Sequence, residues 1–128
     1  MIRTIVVLLL LAIGSAAVQA QDAAAGADVF KKCMSCHSVG ENARAKVGPP
    51  LNGIVDHPAG TVAGFKYSQA LLDAGITWDA ASLAAFLADP RDFLPGTKMS
   101  FAGLKKEEDI ANVIAYLATF GPDGKPVK

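Results

Sequence analysis

Cys33-Met34-Ser35-Cys36-His37 is a run of five residues whose chemistry constrains the rest of the chain. Two thiols three positions apart lie on one side of a helical turn. There each can add across one vinyl group of a single porphyrin, and a histidine directly after the second cysteine can offer an imidazole nitrogen to the iron. Covalent attachment of a c-type haem through Cys33 and Cys36, with His37 as first axial ligand, is therefore expected from this stretch alone. A thioredoxin-like dithiol and a structural zinc site compete with it. The first wants strands alternating with helices. The second wants four ligands, which two cysteines and two histidines supply only if His57 joins three crowded neighbours.

The N-terminal twenty residues point the same way. Arg3 gives a short positive region, residues 5–13 are an unbroken apolar run, and Val18-Gln19-Ala20 offers a cleavage site. We read residues 1–20 as a cleavable secretory signal and residues 21–128 as one domain. The alternative is a retained anchor, yet residues 5–18 fall short of the ~20 apolar residues that span a bilayer. A signal peptide and a haem attached outside the cytoplasmic membrane agree on the periplasm.

Charge is nearly balanced over the 128 residues, with 12 Lys and Arg against 12 Asp and Glu, which makes a nucleic-acid partner a poor expectation. The 52% hydrophobic content owes part of its size to the signal and does not argue for a membrane span in the mature chain. A single small domain has a thin core, and a buried haem would fill much of it.

Periodicity along residues 21–128 reads as helices joined by Gly and Pro loops. A first helix is expected over residues 22–32, running into the haem motif. Gly48-Pro49-Pro50 opens a loop. Ser68 caps a short helix that Gly75 ends, and Thr77 or Asp79 caps another with Leu83, Phe86 and Leu87 buried and Pro90 just past its end. A last helix begins with Glu107, Glu108 and Asp109, carries Ile110, Val113, Ile114 and Leu117 at helical spacing, and is stopped by Gly121-Pro122. No stretch alternates convincingly as a strand, so the fold class is all-α.

A second axial ligand, or its absence, separates an electron carrier from a haem enzyme or gas binder. Met1 leaves with the signal and Met34 sits between the attached cysteines. Met99 remains, in Leu94-Pro95-Gly96-Thr97-Lys98-Met99, where proline and glycine suit an irregular loop that carries a side chain across a flat cofactor. Met99 as a gap-filling core residue, and His57 as a second histidine ligand, stay open.

The chain resembles the class I cytochromes c, in particular the cytochrome c2 and mitochondrial cytochrome c group. The resemblance rests on Gly26 and Phe30 ahead of CMSCH, then VGPPLNGI, GFKYS, GITW, DPRDFLPGTKMSFAGLKK and a last helix with IAYL, in that order. It implies a small single-domain fold wrapped around one covalently bound haem, with His37 and Met99 as axial ligands. It implies that Pro49 accepts a hydrogen bond from the His37 ring, and that Tyr67 and Trp78, with Thr97 near the same edge, serve a buried propionate. Gly26 and Phe30 would pack on Tyr116 and Leu117. Lys32, Lys46, Lys98, Lys105 and Lys106, with Phe101, would ring an exposed haem edge and dock acidic partners, and Asp28, Asp56, Asp73 and Asp123 are candidates for an opposite, acidic side.

Two positions depart from the family pattern: His57 stands where many relatives have arginine near a propionate, and Phe86 stands where the mitochondrial proteins have a tyrosine near the methionine sulfur. The function implied is that of a soluble, monomeric periplasmic one-electron carrier and not an enzyme. Its partners would be redox proteins such as a bc1 complex, a terminal oxidase, a photosynthetic reaction centre or a periplasmic dehydrogenase. The rival readings are a peroxidase-like or ligand-binding haem protein with an open iron position, a subunit dedicated to one dehydrogenase or oxidase, and a dithiol oxidoreductase.

Overall fold

The computed structural model describes residues 21–128, so the signal read into residues 1–20 lies outside the described residues. Five helices and one two-stranded ladder follow in the order α1 (Ala23–Phe30), β1 (His57–Pro58), α2 (Gln69–Ala74), β2 (Thr77–Trp78), α3 (Ala80–Ala88), α4 (Pro90–Phe93) and α5 (Glu107–Leu117).

The two terminal helices form the frame. Asp22 starts α1 by accepting from the Ala25 N–H at 3.1 Å. The end of α1 does not unwind but tightens, with Cys33 N–H donating to the Phe30 carbonyl at 2.8 Å. His37 N–H then donates to the Cys33 carbonyl at 2.9 Å, so the haem motif is itself one helical turn. In α5 the acidic residues Glu107, Glu108 and Asp109 occupy the first turn, where the helix dipole favours them, and Ile110, Val113, Ile114 and Leu117 form its buried stripe. Burying such side chains contributes roughly 1.5–3 kcal/mol apiece.

No other pair of elements packs as extensively as α1 on α5. Gly26 makes this possible: a Cβ there would collide with the Asn112 backbone and approach Tyr116 Cβ to 2.8 Å. Asn112, buried opposite, accepts from the Asp22 N–H at 2.9 Å, and the Phe30 and Tyr116 rings meet at 5.4 Å.

Between these helices the chain encloses the rest of the core. Ser68 caps α2 through the Leu71 N–H at 3.1 Å, and Gly75 ends it with a left-handed φ of 59°. Asp79, not Thr77, caps α3 through the Ser82 N–H at 2.8 Å, and Leu83, Phe86 and Leu87 are buried as expected.

Three expectations shift. Pro90 does not simply follow α3 but opens a separate turn, α4, because a proline at the first helical position sacrifices no hydrogen bond and Asp89 caps the Asp92 N–H. The last helix ends at Leu117, before Gly121-Pro122, and the chain returns through a bridge between Phe120 and Pro126. Finally, β1 and β2 pair antiparallel, His57 opposite Trp78. A ladder of two residues per strand is too short to show a period of two in sequence.

Candidate functional site

Helices α1, α3 and α5 and the loops between them leave a cavity of about 450 Å³. Its apolar walls come from Phe30, Leu83, Phe86, Leu87, Leu94, Val113 and Leu117. Cys33, Cys36 and His37 line it from the turn after α1, and Met99 lines it from the loop after α4. Residues separated by more than sixty positions are thus brought onto one cavity. Met34 is instead exposed and does not line it.

His37 is held in one orientation. Its Nδ1 lies 2.7 Å from the Pro49 carbonyl oxygen. A carbonyl only accepts, so the proton sits on Nδ1 and the lone pair on Nε2 is free for a metal. Burial pushes the His37 pKa down, with the Pro49 carbonyl opposing it in part, and the neutral ring is the form that ligates. Gly48 is packed so closely that a Cβ would run into the His37 ring. The sequence marks Gly48 only as a loop breaker, and its role as the floor under the imidazole becomes visible in three dimensions.

In the loop after α4, Thr97 Oγ1 accepts from the Met99 N–H at 3.2 Å, which fixes the backbone of that loop and leaves the hydroxyl proton to donate elsewhere. Tyr67 OH accepts from the Val62 N–H at 3.0 Å and likewise keeps its own proton; burial raises its pKa, so it remains a donor at neutral pH. Trp78 is 6% exposed and lines the cavity, and among the described residues no protein acceptor serves its indole N–H. No buried polar side-chain atom is sealed off without a partner among the described residues. Tyr67, Trp78 and Thr97 thus bring three donors to the lining of an apolar cavity, a set that suits a carboxylate.

His57 also reaches the cavity, but it is exposed and its backbone is committed to the ladder with Trp78. Phe86 packs against Trp78 and Phe93 with ring centroids 5.0 and 6.1 Å away, so this wall is hydrocarbon where a tyrosine would bring a hydroxyl. Lys32, Lys98 and Phe101 stand at the cavity margin. Lys46 sits beside the motif, its Nζ donating to the Met34 carbonyl at 3.0 Å. Lys105 and Lys106 flank the start of α5 and do not line the cavity, and Lys105 Nζ donates to the Ala102 carbonyl.

The competing chemistries fit poorly. A dithiol oxidoreductase needs a stabilised thiolate, whereas burial pushes the Cys33 thiol up against the smaller opposing pull of Lys32. Among the described residues no three His, Cys, Asp or Glu side chains converge as a zinc site requires. A haem fits the donor set that lines the cavity: two free thiols, a pre-oriented imidazole, a thioether and hydrogen-bond donors.

Comparison with known proteins agrees. The cytochrome c family model matches residues 23–121. A cytochrome c2 of Rhodoplanes tepidamans is 53% identical over 82% of this chain and 98% of its own length. A cytochrome c2 of Blastochloris viridis is 47% identical over 91% of this chain and 92% of its own. Among solved structures, cytochrome cH from Methylobacterium extorquens superposes with a TM-score of 0.71 at 44% identity, covering 77% of this chain and 98% of that one. The chain therefore belongs to the cytochrome c family, as an electron-transfer protein that carries one covalently attached haem c and is not an enzyme.

Proposed function

We propose that the protein is a soluble, monomeric periplasmic carrier that moves single electrons between redox complexes, with its haem bound through Cys33 and Cys36 and ligated by His37 and Met99. The observation that carries this reading is the convergence of those four side chains on one apolar cavity. Haem iron, when bound, supplies the one-electron couple.

The chain's own residues do the rest. Cys33 and Cys36 fix the porphyrin in one place. The Pro49 carbonyl holds the His37 ring in the tautomer that presents Nε2. The hydroxyl of Thr97 stiffens the Met99 loop, so both ligands keep their positions when the charge on the metal changes. Small rearrangement favours fast transfer. Leu83, Leu87, Leu94 and Val113 exclude water from the cavity. Tyr67, Trp78 and Thr97 supply O–H and N–H donors for a propionate, which keeps that buried charge hydrogen-bonded.

Docking belongs to the surface around the cavity mouth. Lys32, Lys98 and Phe101 line the cavity and Lys46 reaches the Met34 carbonyl beside the motif, and we assign Lys105 and Lys106 at the start of α5 to the same docking surface. Such a surface steers the carrier to acidic faces on a bc1 complex, a terminal oxidase, a reaction centre or a periplasmic dehydrogenase. Among the described residues no helix is long and apolar enough to cross a membrane. We read residues 1–20 as the cleaved export signal.

The test is made on protein matured in a bacterial periplasm. Its mass should equal residues 21–128 plus one haem, and it should exchange electrons with a membrane complex at rates that fall as salt rises. A mass that retains residues 1–20 would show an anchored protein. A stable one-to-one complex that never dissociates would show a dedicated subunit.

A further inference from the structure

The loop that brings Pro49 to His37 is closed by Asn52, which lies in the VGPPLNGI segment without a role assigned to it from the sequence. Asn52 engages both polar groups of Gly40: its Oδ1 accepts from the Gly40 N–H at 2.9 Å and its Nδ2 donates to the Gly40 carbonyl at 2.8 Å. One amide thus ties together residues twelve positions apart, and Gly48 and Pro49 lie between them. Two backbone bonds support the loop from inside, Gly48 N–H to the Cys36 carbonyl at 2.9 Å and Leu51 N–H to the Ser38 carbonyl at 3.0 Å. From outside, the returning C-terminal segment covers the closure. Gly124 packs so tightly on the Gly40 carbonyl that a Cβ would collide with it, and Gly53 N–H donates to the Phe120 carbonyl at 3.1 Å. Pro122 and Gly124 lie beyond the stretch matched by the family model.

We propose that Asn52 is a positioning residue which, through Gly40, holds the Pro49 carbonyl on His37 Nδ1 and so helps to set the reduction potential. The proposal rests on the reading of His37 as an axial ligand. A carbonyl that accepts from Nδ1 makes the other ring nitrogen more basic, and a more basic ligand favours the oxidised metal. Loosening the clamp weakens that bond and raises the potential.

The experiment uses the haem-loaded protein with labelled histidine. It follows hydrogen exchange of the His37 Nδ1–H in the reduced state by NMR and titrates the potential in wild type, Asn52→Ala, Asn52→Asp and Asp79→Ala. Asn52→Asp turns a charged oxygen toward the Gly40 carbonyl in the same volume. Asp79→Ala removes the cap of α3, which makes no hydrogen bond to the Gly40–Asn52 loop, and controls for lost stability.

Both Asn52 variants should speed the exchange by about tenfold or more, the factor that one or two hydrogen bonds carry, and shift the potential upward. Asp79→Ala should do neither. Wild-type exchange and potential in the Asn52 variants, or equal shifts in Asp79→Ala, would overturn the proposal. If Asn52→Ala does not assemble, Asn52→Asp decides alone. A wild-type ring without a slowly exchanging Nδ1 proton would remove the His37–Pro49 bond and overturn the proposal, whereas a spectrum without histidine ligation would overturn the reading beneath it.

Discussion

At the scale of single residues, the site is specified as much by what is missing as by what is present. Gly48 lacks the atom that would strike the His37 ring. Gly48→Ala should therefore push the imidazole out of line and destabilise the folded protein by about 1–3 kcal/mol, the usual cost of forcing one methyl into a filled space. Denaturant titration of the holoprotein checks this, and wild-type stability would mean that the loop yields freely. His57 gives the opposite expectation. It is exposed and tied to the ladder, so His57→Ala should leave the axial ligation and its absorption spectrum unchanged. A changed spectrum would bring the bis-histidine alternative forward.

Chemistry that depends on neighbouring residues is legible in the sequence. Spacing marks Cys33, Cys36 and His37 as candidates and the neighbours Pro95 and Gly96 mark Met99, and all four line one cavity. Gly48 and Asn52 cannot be read in the same way, because a steric limit or a two-point clamp depends on a partner far away along the chain.

At the scale of elements, capping and periodicity make the helices readable, and their ends less so. Ser68, Asp79 and the α5 stripe sit where the sequence places them. The α4 turn and the β1–β2 ladder are too short to carry a period. The crossing of α1 and α5 depends on Gly26, and Gly26→Val should separate the two helices and lower stability by about 1–3 kcal/mol, again by denaturant titration. An unchanged midpoint would show that the crossing does not need close approach.

Asp79 supplies a pH-dependent test of α3. The Ser82 backbone N–H, then its hydroxyl, holds the Asp79 carboxyl below its ordinary value of 3.8. A folded pKa below the unfolded one stabilises the protein above the unfolded value, and this contribution is lost as pH falls through the folded value. Wild type should therefore be more stable than Asp79→Ala at neutral pH, with the gap closing below about pH 4. Thermal melts across that range check it, and a gap independent of pH would contradict the charged cap.

At the scale of the whole molecule, near-zero net charge is compatible with the docking surface proposed above. Lys32 and Lys98 line the cavity and Lys46 reaches the Met34 carbonyl, while Lys31 is exposed and already paired with Asp28 at 2.8 Å. Replacing Lys32 and Lys98 by Glu should slow electron exchange with an acidic partner by an order of magnitude or more at low salt. High salt should shrink the difference between variant and wild type. Stopped-flow rates at several ionic strengths check this, and rates that rise with salt would remove the docking role.

The proposed carrier function depends above all on iron held by His37 and Met99, and the visible spectrum of the oxidised holoprotein reads that ligation without an intermediary. Wild type should show a weak long-wavelength band from methionine ligation. Met99→Ala should lose it, with a lowered potential and an iron open to added ligands. The same band in both proteins, or in neither, would contradict the ligand assignment.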